Sequence, residues 1–182
     1  MSGRALILSG PSGVGKDTLI DEWRRINPRV ERVVACTTRP PREGEVDGVS
    51  YHFLTRDEFT RKAGEGFFLE WKEVHGNLYG TPADAVRRMA REGKIPVLKI
   101  DVQGALAVME LDPEIDSVFI LPPSLDELER RICSRGLDDP AHIERRLQTA
   151  RTEIEAAGRY RHRVINDDVA RAVAELERLF GS

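Results

Sequence analysis

Residues 5–9, Ala-Leu-Ile-Leu-Ser, run straight into Gly10-Pro-Ser-Gly-Val-Gly-Lys-Asp-Thr18, and a helical pattern opens at Lys16. An apolar strand, a glycine-rich turn and a helix start in direct succession leave the chain little freedom. The turn has to lie at the carboxyl end of a parallel strand, with the helix folding back across a sheet. In that setting the glycines let backbone N–H groups converge on one cavity, and the helix start adds partial positive charge. Lys16 then reaches the β- and γ-phosphates of a nucleotide. Gly10, Pro11, Ser12, Gly13, Val14, Gly15, Lys16, Asp17 and Thr18 are thus candidate contacts to a nucleoside triphosphate such as ATP.

The position after the lysine usually offers a hydroxyl to Mg²⁺, and here it is Asp17. A carboxylate is a hard-oxygen ligand that suits a helix N-terminus, so Asp17 is a candidate metal ligand, although phosphate charge would repel it. Thr18 does not take over the role, because the next helical residue points about 100° away.

The rest of the chain fits an α/β fold with a mainly parallel sheet flanked by helices. Candidate strands are Ala5–Ser9, Arg32–Thr37, Ile95–Asp101, Ser117–Leu121 and Val164–Asn166; helices are expected to start near Lys16, Ala83, Gln103, Leu125, Ala141 and Val169. Start signals support several of them: Thr81-Pro82 with Asp84, Ser124-Leu-Asp-Glu127 as a capping box, and Asp139-Pro140. Residues Ser50–Leu54 and Phe67–Val74 read as strands around a short helix opened by Thr55-Arg-Asp-Glu58. A βαβ rhythm does not produce that excursion, so it reads as an inserted substrate lobe. The arginine-rich stretch Glu129–Arg163, broken at Gly136–Pro140, reads as a helical hairpin forming a lid. One domain of 182 residues is expected, with a core at about 1–34, 82–125 and 162–182, a lobe at about 35–81 and a lid at about 126–161.

Charge removes some function classes. The net charge is −3, which argues against holding duplex nucleic acid or an anionic membrane by bulk positive charge. The 28 basic residues are nonetheless lopsided, with five lysines and 23 arginines, as suits planar donors for anionic oxygens. Cys36 and Cys133 are too few for a disulfide framework or a four-thiolate zinc site and read as packing residues. His52, His75, His142 and His162 lack metal spacing. Neither a signal peptide nor an apolar run of the roughly 18 residues a membrane span needs is legible, so the cytoplasm is expected.

A second constellation follows the loop: Thr37-Thr-Arg-Pro-Pro-Arg42, Gly44-Glu-Val-Asp-Gly48, Tyr51-His-Phe53, Glu70-Trp71 and Gly76-Asn-Leu-Tyr-Gly-Thr81. Two arginines three apart, followed by tyrosines, suit a phosphate monoester. Glu70 offers two acceptors to an N1–H/N2–H₂ edge, which guanine has and adenine lacks. With these residues in view, and with Ile100-Asp-Val-Gln-Gly104, Leu121-Pro-Pro-Ser124, Arg135-Gly136 and Val164-Ile-Asn-Asp167, the chain resembles the guanylate kinases nearly end to end. That resemblance implies a P-loop NTPase core, an inserted mixed α/β GMP-binding lobe and a helical lid, moving phosphate from ATP to GMP with Mg²⁺. It implies that Arg39, Arg42, Tyr51 and Tyr79 hold the GMP phosphate and that Glu70, Thr81 and Asp101 read guanine. Lys16, Arg39, Arg135 and Arg146 would act on the transferring phosphate, and Asn166 would lie near the adenine.

Two positions depart from the family pattern. Ala35 stands where serine is usual, and Lys99 where an acid is usual; strand alternation puts Lys99 on the face of Asp101. Asp17 and Lys99 have opposite signs near one place, so the two departures are expected to be coupled. Two other readings compete: a P-loop kinase for an acceptor such as ribose bisphosphate, whose family shares the Gly-Lys-Asp loop, and a non-catalytic binding module. The set of Arg39, Arg42, Glu70 and Gly76–Thr81 speaks against the first, and Gly13, Gly15 and Lys16 against the second.

Overall fold

The computed structural model describes residues 5–74, 76–133 and 140–181, without the side chains of 140–142. In chain order these form β1 (Leu6–Ser9), α1 (Lys16–Ile26), β2 (Val30–Arg32), β3 (Cys36–Thr37), β4 (His52–Phe53), α2 (Arg56–Gly64), β5 (Phe68–Val74), β6 (Asn77–Pro82) and α3 (Ala83–Arg91). They continue through β7 (Ile95–Lys99), α4 (Val102–Leu111), β8 (Asp116–Leu121), α5 (Leu125–Cys133), α6 (Pro140–Glu155), a 3-10 turn (Ala156–Arg159), β9 (His162–Ile165) and α7 (Val169–Phe180). Two sheets result. The larger, in the order β2-β7-β1-β8-β9, is parallel throughout. The smaller, β4-β3-β6-β5, is mixed: β3 pairs parallel with β4 and antiparallel with β6, which pairs antiparallel with β5.

The apolar run of β1 is covered on both faces, as a central parallel strand must be. Leu6 and Leu8 pack with Leu19, Trp23, Leu128, Leu176 and Phe180 on one side. Ala5 and Ile7 pack with Val86, Met89, Val102, Ala105 and Phe119 on the other. Alternation along the strand decides which residue meets which helix layer. The carboxyl end of β1 is thereby fixed between two layers, and the glycine-rich turn leaves from that end.

The smaller sheet has its own core of Cys36, Phe59 and Leu78, with Phe68 packed against it. Phe59 and Phe68 stack with ring centroids 4.3 Å apart. Gly80 lies beneath the stack: a Cβ there would sit 2.9 Å from Phe68 Cδ1 and 3.0 Å from Phe59 Cζ. Helix α2 begins in a complete capping box, with Glu58 N–H donating to Thr55 Oγ1 at 3.2 Å and Thr55 N–H to Glu58 Oε2 at 2.9 Å.

Several boundaries differ from the sequence reading. The run Arg32–Thr37 is divided between sheets: Val33 N–H still reaches Val97 O, whereas Thr38 N–H bonds Leu78 O. Alternation reports which residues are buried, not which sheet they join. The strand read as Ile95–Asp101 stops at Lys99, because Asp101 caps α4 by accepting from Gly104 N–H at 2.9 Å. The last strand starts two residues earlier than expected, at His162, and ends at Ile165. The Ser124 hydroxyl accepts from Glu127 N–H as expected, while the Glu127 carboxylate is drawn to Arg130 and Arg131.

Helix α7 locks onto α1 through one carboxylate. Glu177 accepts from the buried Trp23 Nε1 at 2.6 Å and from Asn27 Nδ2 at 3.0 Å. Removing it leaves two donors in a largely apolar seam, so Glu177→Ala is expected to cost about 1–3 kcal/mol in urea melts. Glu177→Gln, which keeps one acceptor, is expected to cost less.

Candidate functional site

A cleft of about 330 Å³ lies where the carboxyl ends of β1 and β7 face the smaller sheet. Its walls bring together Lys16, Asp17, Tyr51, Glu70, Tyr79, Thr81, Lys99 and Asp101, residues spread over more than 80 positions of sequence. Ala35 also lines it. Residues of the glycine-rich loop and part of the second constellation therefore share one cavity.

The loop's glycines do what their spacing suggested. Gly10, Gly13 and Gly15 all have positive φ, and a Cβ on Gly15 would lie 2.6 Å from Asn166 Nδ2. Asn166 is buried just after β9, and its Nδ2 donates to Val14 O at 2.8 Å, bracing the loop from behind. Lys16 Nζ sits under the arch, donating to the carbonyl oxygens of Gly10 and Pro11. Withdrawal from water pulls its ammonium down to about 8; Lys99 pushes the same way, while Glu153, Asp17 and Asp101 oppose.

Asp17 and Lys99 meet. The Lys99 ammonium lies 2.6 Å from Asp17 Oδ1, and Arg32 Nη1 donates to the same oxygen at 3.2 Å. The Lys99 side chain is only 17% exposed, against 60% for Asp17. The cation is the member that has left water, so the pair matters chiefly by keeping Lys99 charged. Burial lowers the Lys99 pKa and Asp17 counteracts it. Asp17 is itself lowered: burial would raise it, and Lys99 and Arg32 outweigh that.

On the acceptor side Arg39 is held by a partner the sequence did not reveal. Its Nη1 and Nη2 donate to the two oxygens of Glu45 at 2.9 and 2.8 Å, and Arg42 N–H donates to Glu45 as well, at 2.7 Å. The Arg39 bonds hold the Glu45 carboxyl down at about 2. Arg39 also stands 5.5 Å from the centroid of the Tyr51 ring, and Tyr51 lies 6.1 Å from Tyr79. The Arg42 side chain is exposed. Arg39 and Arg42 are outside the lining of the cleft itself.

Glu70 is the deepest acid. Burial raises its pKa, and the Thr81 hydroxyl, donating to Oε1 at 2.7 Å, pulls the other way. Lys72, unmarked by any motif, lies 2.5 Å from Asp101 Oδ1. Helix α6 sends two residues to the loop. Arg146 Nη2 donates to Ser12 Oγ at 3.0 Å, and Glu153, its pKa raised by burial, faces Lys16. Glu45 stands in the Gly44–Gly48 run of the second constellation, though nothing in that run marked it as the partner of Arg39; neither Arg32 nor Glu153 carries a motif. Arg135, expected in the lid, lies outside the described residues, as do His75 and the side chain of His142.

No group of three or more His, Cys, Asp or Glu that could hold a metal occurs among the described residues. None of their helices is long and apolar enough to cross a membrane. Cys36 is buried, Cys133 is exposed, and both are free thiols.

A family model described as guanylate kinase matches residues 2–182. A guanylate kinase of Gloeobacter violaceus is 51% identical over 176 residues, covering 97% of this chain and 86% of its own. One from Nostoc is 47% identical over 182 residues, covering 100% of this chain and 92% of its own. The crystal structure of guanylate kinase from Anaplasma phagocytophilum superposes with a TM-score of 0.78 at 33% identity, covering 98% of this chain and 85% of that one.

If the two departures are one exchange, Asp17→Ser and Lys99→Asp will not be additive. A double-mutant cycle on unfolding free energy is expected to return an interaction of about 0.5–3 kcal/mol. Additive losses would separate the two positions.

Proposed function

The chain belongs to the guanylate kinase family, and we propose that it transfers the terminal phosphoryl group of ATP to GMP, and to dGMP, giving ADP and the nucleoside diphosphate. The observation that carries this reading is the shared cleft: the phosphate loop and Glu70, Thr81, Tyr51 and Tyr79 line one cavity. An acceptor phosphate and a donor phosphate bound there lie side by side, and phosphoryl transfer needs alignment and charge neutralisation more than a covalent residue.

Each residue then has a task. Lys16 turns from the loop carbonyls to the β- and γ-phosphates of ATP, while loop N–H groups take the remaining oxygens. The GMP phosphate enters beside Arg39, Arg42, Tyr51 and Tyr79, displacing Glu45 from the Arg39 fork; a phosphate accepts the same bidentate geometry. With one oxygen held by Thr81, Glu70 turns its other to the N1–H and N2–H₂ of guanine. Those donors favour the ionised carboxylate that burial alone disfavours. Asp101, fixed as the cap of α4, stands next to it. Arg146, already at Ser12, and Arg135 close over the transferring group and keep out water. Asn166 supports the loop that holds the donor.

Mg²⁺ is the metal such a reaction implies, and it would neutralise phosphate charge. Asp17 does not fit it as a direct ligand, because its Oδ1 already serves Lys99 and Arg32. A divalent ion there would face two fixed cations. We therefore assign Asp17 to those cations and not to the metal. The two free thiols support a reducing, cytoplasmic setting for this reaction.

Assaying GMP, dGMP, AMP and ribose bisphosphate side by side checks the acceptor, with GMP expected to turn over fastest. Faster turnover of the sugar would choose the other kinase reading, and absence of ATP binding in calorimetry would choose the non-catalytic one. Lys16→Ala is expected to lower kcat by roughly 10²–10³, as losing one preorganised charge donor does. Glu70→Gln is expected to raise the KM for GMP by roughly 10–100-fold, the equivalent of one base-edge pairing.

The pH profile follows from Lys16. Its folded-state value, about 8, lies below the ordinary 10.5, so the free enzyme loses the ammonium as pH rises through about 8. kcat/KM for ATP is expected to fall along that limb. Stability moves the other way: the buried charge costs most below about 8, and the cost is relieved as pH rises toward 10.5.

A further inference from the structure

Arg32 ends β2, an edge strand of the parallel sheet, and touches both halves of the cleft. Its Nη1 donates to Asp17 Oδ1 at 3.2 Å, one residue from Lys16. Its Nη2 donates to Ser50 O at 3.1 Å, one residue from Tyr51. We infer that Arg32 is a positioning residue that ties the donor loop to the acceptor loop, so that nucleotide bound at the phosphate loop tightens the acceptor site; the inference rests on the phosphotransfer reading above.

The two ends of this bridge are stiff. Asp17 lies in the first turn of α1, whose helix is anchored through Trp23. Ser50 belongs to a hydrogen-bonded turn: its N–H reaches Val46 O at 2.9 Å, its hydroxyl accepts from Val46 N–H at 3.1 Å, and Gly48 N–H reaches Tyr51 O at 2.8 Å. A shift at the Ser50 carbonyl therefore carries into Tyr51. The guanidinium is planar, so bonds from Nη1 and Nη2 move as one piece. Nε is buried and has no partner, which leaves the two ends as the side chain's specific contacts. Its charge is felt at Tyr51, where burial raises the hydroxyl pKa and Arg32 is the largest opposing influence.

Lys99 supplies the switch. It shares Asp17 Oδ1 with Arg32. Phosphate oxygens arriving at Lys16 compete with Asp17 for the Lys99 ammonium, and Oδ1 is then left to Arg32. The bridge shortens its remaining bond and holds Ser50 and Tyr51 against Tyr79 and Arg39. By linkage, acceptor binding tightens donor binding by the same factor.

Calorimetry on the full chain reads this directly: GMP is titrated with and without a non-hydrolysable ATP analogue plus Mg²⁺, for wild type, Arg32→Met and Arg32→Lys. Wild type is expected to bind GMP at least about fivefold tighter when the analogue is present. In Arg32→Met that factor is expected to fall to about one while each ligand still binds alone, and Arg32→Lys is expected to recover only part of it. The KM for GMP at saturating ATP should rise by the lost factor, with kcat moving less. Full wild-type coupling in Arg32→Met, no coupling in wild type, or full rescue by Arg32→Lys would overturn the bridge. Should Arg32→Met fail to fold in circular dichroism, Arg32→Lys, whose single ammonium lacks the planar fork that spans both partners, decides. Absence of GMP or analogue binding to wild type overturns the phosphotransfer reading instead, which is a different result from lost coupling.

Discussion

Cations aimed at one small cleft repel one another, and the fold answers that repulsion with a carboxylate for each. Glu45 holds Arg39, Asp17 holds Lys99 and Arg32, Asp101 holds Lys72, and Glu153 faces Lys16. At a few ångströms and the effective dielectric of a partly buried site, each like-charge contact costs on the order of a few kcal/mol if left uncompensated. Without these partners the arginines and lysines would swing to solvent, and the cleft would have to be assembled anew at each encounter. With them, the cationic groups wait in place for phosphate oxygens.

Such an arrangement separates affinity from net charge. A chain with net charge −3 can manage phosphorylated substrates because the relevant charge is local and already oriented. On the proposed function, substrate phosphates would take the place of these carboxylates, and binding would be an exchange of counter-ions rather than a capture of charge by an empty field. The preference for arginine over lysine fits the forks at Arg39 and Arg32, each of which makes two directed bonds. The many arginines far from the cleft have no such explanation in the structure.

How much of this was legible in the sequence depends on how far each feature reaches along the chain. The loop from Gly10 to Thr18 is local, and strand, turn and helix start appear in order, so its conformation could be read directly. The Thr55–Glu58 capping box was legible for the same reason. Asp17 and Lys99 lie 82 positions apart, yet strand alternation and their opposite departures from one family pattern pointed to the pair. Arg32 and Glu153 offered no such handle: each looks like an ordinary surface charge until the sheets are folded together. The run Arg32–Thr37 misled because burial is visible in sequence, whereas the sheet that provides the burial is not.

Gly80 joins two tasks usually kept apart. It lines the cleft, and it also makes room for the stacked rings of Phe59 and Phe68 that form the lobe's own core. Any side chain at that position would press on the stack, and the backbone that lines the cleft would have to shift with the rings. Evolution of acceptor preference therefore has no independent access to this wall: a change of specificity attempted there must first survive as a folding variant, and the cleft inherits its shape from a hydrophobic core that never touches substrate.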